Sequence, residues 1–68
     1  MKNPKFEIHE AIDGEFYFLL RAANGEIITT SETYTTKQNC IKGINAVIEV
    51  VLDMSVDDDM RIADLTQF

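Results

Sequence analysis

Two Asx-Gly pairs, Asp13-Gly14 and Asn24-Gly25, stand eleven positions apart, each between runs of strand-forming residues. They point to a three-stranded antiparallel meander in the first half of the chain. A two-residue type I′ turn needs positive φ at both central positions, which glycine accepts freely and Asn or Asp tolerates, so a type I′ hairpin is expected at each pair. Strand one places Phe6 and Ile8 on one face and Glu7 and His9 on the other. In strand two, Phe16, Phe18, Leu20 and Ala22 alternate with Glu15, Tyr17, Leu19 and Arg21. One face is therefore apolar and the other amphipathic, which suits the central strand of the meander. Strand three, from about Glu26 to Glu32, is rich in β-branched residues.

A helix is expected next, from Thr35 or Thr36 to about Met54, with Thr35 and Gln38 at capping-box spacing. Its central apolar stripe is Cys40, Ile44, Val47 and Val51. Ile41, Ile48 and Leu52 flank it on one side and Gly43 and Val50 on the other, while Lys42, Asn45, Glu49 and Asp53 collect opposite. The apolar arc covers roughly half the circumference, wider than the ~100° stripe of an ordinary surface helix. One small sheet can shelter the central stripe but not both flanks, so Cys40, Ile44, Val47, Ile48, Val50, Val51 and Leu52 are read as core or dimer packing. Gly43, unfavourable inside a helix by about 1 kcal/mol relative to alanine, marks a close approach of the helix backbone to the sheet or to a partner helix. An acidic turn over Ser55 to Asp59 and a fourth strand over Met60 to Leu65 complete a β-β-β-α-β order. The fold class is α+β in two layers, with positions 1–68 forming one domain.

Size bears on association. A chain of 68 residues buries only about 60% of the surface it exposes when unfolded, and domains this small are usually reinforced by disulfides, a metal or oligomerisation. Cys40 is the only cysteine, and one Cys and one His far apart lack metal-ligand spacing. Oligomerisation remains, and a homodimer is expected. Twelve acidic residues against six basic ones give a net charge of −6, which disfavours nucleic acid and anionic lipid as partners. No apolar run approaches the roughly 20 residues of a membrane span. The residues after Met1 carry Lys2, Pro4 and Lys5 with no apolar stretch following, so no secretory leader is expected. The unpaired thiol suits a reducing, cytoplasmic setting.

The candidates for chemistry are few. His9 lies between Glu7 and Glu10, where a carboxylate can orient an imidazole, yet with no nucleophile or second ligand in view it reads as an exposed polar-face residue. Cys40 near a helix N-terminus invites a low-pKa thiol, but its place on the apolar stripe favours a buried, inert one. Asp57-Asp58-Asp59 lacks the alternating ligands and glycine of a calcium loop and reads as a solvated turn. The hydroxyls of Thr29, Thr30, Ser31, Thr33, Thr35 and Thr36 are explained by strand propensity and capping. No catalytic, metal or cofactor residue is assigned, and an enzyme is not expected.

The stretch from Lys5 to Val47 resembles a family of small bacterial proteins, the YegP-like family. The resemblance rests on Lys5-Phe6-Glu7-Ile8, on Asp13-Gly14-Glu15-Phe16 with Phe18 and Leu20, and on the block Ala22-Ala23-Asn24-Gly25-Glu26-Ile27-Ile28. Thr30-Ser31-Glu32 with Tyr34, then Lys37, Gly43, Ile44 and Val47, and Asp64-Leu65-Thr66 near the end extend it. It implies a β3-α-β unit that occurs as tandem repeats in one chain or as paired single-repeat subunits, and no known catalytic activity. This chain differs at Lys42, and Val50, Val51 and Leu52 make the helix end more apolar than is usual in the family. The expected role is a small acidic homodimeric interaction or structural module, with Tyr17, Arg21 and Tyr34 as candidate partner contacts because Tyr and Arg are enriched at binding hot spots. The alternative is a small-molecule or regulatory binder, including an acidic mimic that occupies a basic protein site.

Overall fold

The computed structural model describes residues 3–55 and 65–66. Three strands, β1 (Lys5–Glu10), β2 (Phe16–Arg21) and β3 (Ile27–Thr30), precede one helix, α1 (Lys37–Ser55). The strands form an antiparallel sheet in the order β1-β2-β3, so β2 is central, as its apolar alternation requires. Pairing runs from Lys5 opposite Arg21 to Glu10 opposite Phe16. The fourth strand expected from Met60 falls outside the described residues, save for Leu65, which is exposed and belongs to no strand.

The hairpin turns differ from the expected type I′ geometry. In the first, Gly14 N donates to Ala11 O at 3.0 Å and Ala11 N to Glu15 O at 2.7 Å. In the second, Gly25 N donates to Ala22 O at 2.9 Å and Ala22 N to Glu26 O at 2.8 Å. Both are three-residue loops in which the glycine, at φ 88° and 91°, closes a bulge. The preceding Asx residue serves through its side chain: Asp13 Oδ1 accepts from Glu15 N and Asn24 Oδ1 from Glu26 N, each at 3.0 Å.

β3 is shorter than expected because its ladder is interrupted at both ends. Leu20 pairs with Thr29 but Arg21 with Ile27, leaving Ile28 as the extra residue of a bulge. At the other end Ser31 N donates to Phe18 O at 2.8 Å, while Phe18 N donates to the Ser31 hydroxyl at 2.9 Å. The chain then rejoins the sheet where Tyr34 and Phe16 exchange backbone hydrogen bonds of 2.6 and 2.8 Å. Ser31 is thus a structural hydroxyl that carries the ladder past a one-residue insertion.

Helix capping shifts by one residue from the expected Thr35–Gln38 box. Thr36 Oγ1 accepts from Asn39 N at 3.0 Å, and Thr36 O accepts the first helical bond from Cys40 N at 3.1 Å. The helix covers the sheet face that carries Phe6, Phe16 and Phe18. Phe18 meets Phe6 edge-on at 5.7 Å and stacks on Tyr34 at 6.2 Å, and Lys37 Nζ lies 5.9 Å from the centre of the Phe16 ring. Gly43 faces Tyr34, and a Cβ at that position would fall 2.7 Å from the tyrosine Cζ, so the close approach expected of this glycine is to the sheet layer.

The core is small. Among the described residues the buried apolar side chains are Phe18, Leu19 and Cys40, at 4%, 6% and 0% exposure. Leu19 lies on the sheet face away from Phe18, opposite Glu7 and Thr30, and is buried there.

Candidate functional site

The face of the sheet away from Phe18 gathers the charged residues. Period-two alternation sets Lys5, Glu7 and His9 side by side on β1, and the register brings Arg21 directly opposite Lys5 and Tyr17 opposite His9. Glu7 is the hub. Its Oε2 accepts from Arg21 Nε at 2.9 Å and lies 3.2 Å from Lys5 Nζ, and its Oε1 is 3.0 Å from His9 Nε2. His9 in turn stacks on Tyr17, with ring centres 5.5 Å apart and planes 17° from parallel. The histidine expected to stand free on a polar face is therefore half-buried and engaged. Arg21 is held from its other side as well, since Nη1 donates to Gly25 O at 2.7 Å.

Hydrogen bonds from His9 and then Arg21, with lesser help from Lys5 and the Arg21 charge, hold the Glu7 carboxyl at about 2 rather than 4.5 against the opposing effect of burial. The sign of the consequence follows from proton linkage. A carboxyl with a lower folded than unfolded pKa binds fewer protons when folded, so its contribution is fully present above about 4.5 and is lost as pH falls towards 2. Acid unfolding followed by circular dichroism should show stability declining through that window, and Glu7→Gln should flatten that part of the profile. An unchanged profile in the variant would show that Glu7 is not the responsible group.

Beside this cluster lies a groove of about 620 Å³ lined by Asn3, Pro4, Lys5, Glu7, Arg21, Ala22 and Gly25. The three residues expected to contact a partner part company here. Tyr17 and Arg21 are half-buried on the open face, whereas Tyr34 sits between Phe18 and Gly43 and is committed to helix–sheet packing. Cys40 is fully buried, and burial pushes its thiol pKa up, against any thiolate role.

The second notable surface is the far half of α1. Ile44 is half-buried, but Val47 and Val51, assigned by the stripe to the sheet-covered centre, are 37% and 50% exposed. Ile48, Val50 and Leu52 are exposed too, at 39%, 57% and 61%. The central stripe is therefore covered over its first half only, at Cys40 and Ile44.

Among the described residues no group of acidic, His and Cys side chains is arranged to hold a metal, and no helix is long and apolar enough to cross a membrane. Fold and site together define a small α+β module: a meander with one helix on one face and a charged hub on the other. The family model for the domain of unknown function DUF1508 matches residues 11–58, and the chain belongs to that family. It is 50% identical over 42 residues to the UPF0339 protein YegP of Escherichia coli, across 62% of this chain and 38% of that protein. It is 40% identical over 52 residues to a UPF0339 protein of Treponema denticola, across 76% of this chain and 90% of the relative. These relatives agree with the resemblance carried by the Ala22–Ile28 block. The aligned stretch spans about two fifths of the longer relatives. A solution structure of a protein from Haloferax volcanii superposes over the whole of both chains with a TM-score of 0.60 at 26% identity.

Proposed function

We propose that the chain is one half of a symmetric homodimer, a small acidic interaction module that pairs through the far half of α1 and offers its open sheet face to another protein. The observation that carries this reading is the run of exposed apolar side chains at Val47, Ile48, Val50 and Val51, on a domain whose own buried core is so small. A second copy is the occupant that relatives support. The same unit makes up 90% of the Treponema protein and only 38% of YegP, a chain of about 110 residues with room for a second such unit. Two-fold pairing of identical patches is the commonest way such a face is covered. Tyr17 and Arg21 supply the residue types that dominate binding hot spots on the open face. A reducing, cytoplasmic compartment fits the lone buried thiol.

Sedimentation equilibrium tests the pairing. The chain should behave as a dimer at tens of micromolar, and Val50→Asp should shift it to monomer while the strands remain folded. Because each copy carries −6, added salt should strengthen the dimer by screening repulsion. Binding of an acidic mimic to a basic protein would instead weaken with salt. A folded wild-type monomer at those concentrations would refute the pairing.

A further inference from the structure

We propose that the groove beside Glu7 is a binding site for a small oxyanion, a carboxylate or phosphate group, received by Arg21 and Lys5. The chain as a whole is acidic, yet here two cations, Lys5 and Arg21, converge on the single carboxylate of Glu7, with His9 at its other oxygen. Glu7 offsets only one of the two cations, and no other anion stands among the described residues lining the groove, so a surplus of positive charge remains. Arg21 is also held in position before any ligand arrives. Glu7 fixes its Nε from one side and the Gly25 carbonyl fixes Nη1 from the other, at 2.9 and 2.7 Å. Those two bonds use two of the five N–H donors of a guanidinium. The remaining donors belong to a planar fork that matches carboxylate and phosphate oxygens, and its rigidity lowers the ordering cost of binding.

The rest of the groove suits a small ligand rather than an extended surface. Its volume of about 620 Å³ falls within the ~300–1,000 Å³ common to small-molecule sites. Pro4 and Ala22 provide apolar wall, Asn3 a side-chain amide, and Gly25 a stretch of backbone without a Cβ in the way. Lys5 is exposed and flexible enough to swing from Glu7 onto an incoming anion, a movement that leaves the Arg21–Glu7 contact in place.

The inference does not rest on dimer formation and is tested on the intact chain by nuclear magnetic resonance titration. Acetate, butyrate and inorganic phosphate are added separately at low ionic strength. Saturable shifts are expected at the backbone amides of positions 5–7 and 21–25 and at the Arg21 side-chain N–H. Arg21→Gln should weaken binding roughly tenfold or more, as expected for loss of a charge-assisted pair. Lys5→Ala, a change at an exposed side chain that leaves the fold intact, should weaken it less. Glu7→Gln should tighten it, because the competing negative charge is removed while the hydrogen-bond acceptor stays. A role for Glu7 confined to stability would not produce that gain. Preference for butyrate assigns the groove to organic acids, and preference for phosphate to phosphorylated ligands. Absence of saturable shifts up to tens of millimolar, or shifts that persist unchanged in Lys5→Ala and Arg21→Gln, would overturn the proposal.

Discussion

Phe18→Ala is expected to abolish the cooperatively folded state. Phe18 is 4% exposed at the centre of the middle strand, edge-on to Phe6 and stacked on Tyr34, so its ring joins β1, β2 and the segment leading into the helix. Truncation of a buried phenylalanine costs about 3–5 kcal/mol. A domain of this length has a total stability of only roughly 3–10 kcal/mol at the usual ~0.05–0.15 kcal/mol per residue, so one ring is most of the margin. Urea unfolding and the dispersion of amide resonances would both report the loss. As a contrast, Ile28→Ala alters an equally apolar residue that lies exposed in the β3 bulge, and a shift within about 0.5 kcal/mol is expected. Native-like dispersion in Phe18→Ala would mean that the helix is not held through β2.

The second large effect is at Gly43. In an ordinary helix interior, alanine in place of glycine stabilises by about 1 kcal/mol. Here the added methyl would meet the Tyr34 ring, with Cζ 2.7 Å away. The ring cannot retreat easily, since it stacks on Phe18 and the Tyr34 backbone is bonded in both directions to Phe16. Overpacking of this kind costs about 1–3 kcal/mol, so Gly43→Ala should be net destabilising despite its helix propensity. The decisive measurement is the same substitution made in a Tyr34→Ala background. With the ring gone the sign should reverse, and alanine at position 43 should stabilise. A destabilisation of equal size in both backgrounds would place the cause elsewhere than in the Tyr34 contact.

These residues also show how far the fold was legible in advance. The alternation of Phe16, Phe18 and Leu20 marks the face of β2 that meets the helix because a strand's period of two sets them on one side, and Gly43 is conspicuous because a close approach explains it. The turn geometry was not legible, since an Asx-Gly pair satisfies both a two-residue loop and the end of a three-residue one. What separates them is the pairing of Ala11 with Glu15 and of Ala22 with Glu26, a matter of register. The cap was ambiguous for a related reason: Thr35 and Thr36 carry the same hydroxyl, and the choice depends on where the Tyr34–Phe16 bridge releases the chain. At the charged hub, Lys5, Glu7 and His9 are visibly on one side of β1, but Arg21 joins them only once the register sets it opposite Lys5. Counting outward from a two-residue turn at Asp13-Gly14 would set Lys5 opposite Ala22 instead, so the pairing is reached only through the three-residue loop. Leu19 marks the limit of alternation, which assigns it correctly to the open face but says nothing of its burial there, at 6% exposure.

The two turns share the pattern Ala-x-Asx-Gly-Glu and one geometry, and that identity bears on how the protein ages. Asn-Gly sequences lose ammonia when the glycine nitrogen attacks the asparagine side-chain carbonyl and closes a succinimide ring, which water then opens. In this turn the Gly25 nitrogen donates to Ala22 O and the Asn24 amide is tied at both ends to Glu26, so ring closure must first dismantle the hairpin. Where the ring does form, water opens it either to aspartate, the residue type that Asp13 already places in the first turn, or in larger part to isoaspartate, which adds a methylene to the backbone. Either product adds one negative charge, and the isoaspartate also lengthens the backbone of a turn closed by the Gly25–Ala22 bond, so the second hairpin is where a slow chemical clock would be written.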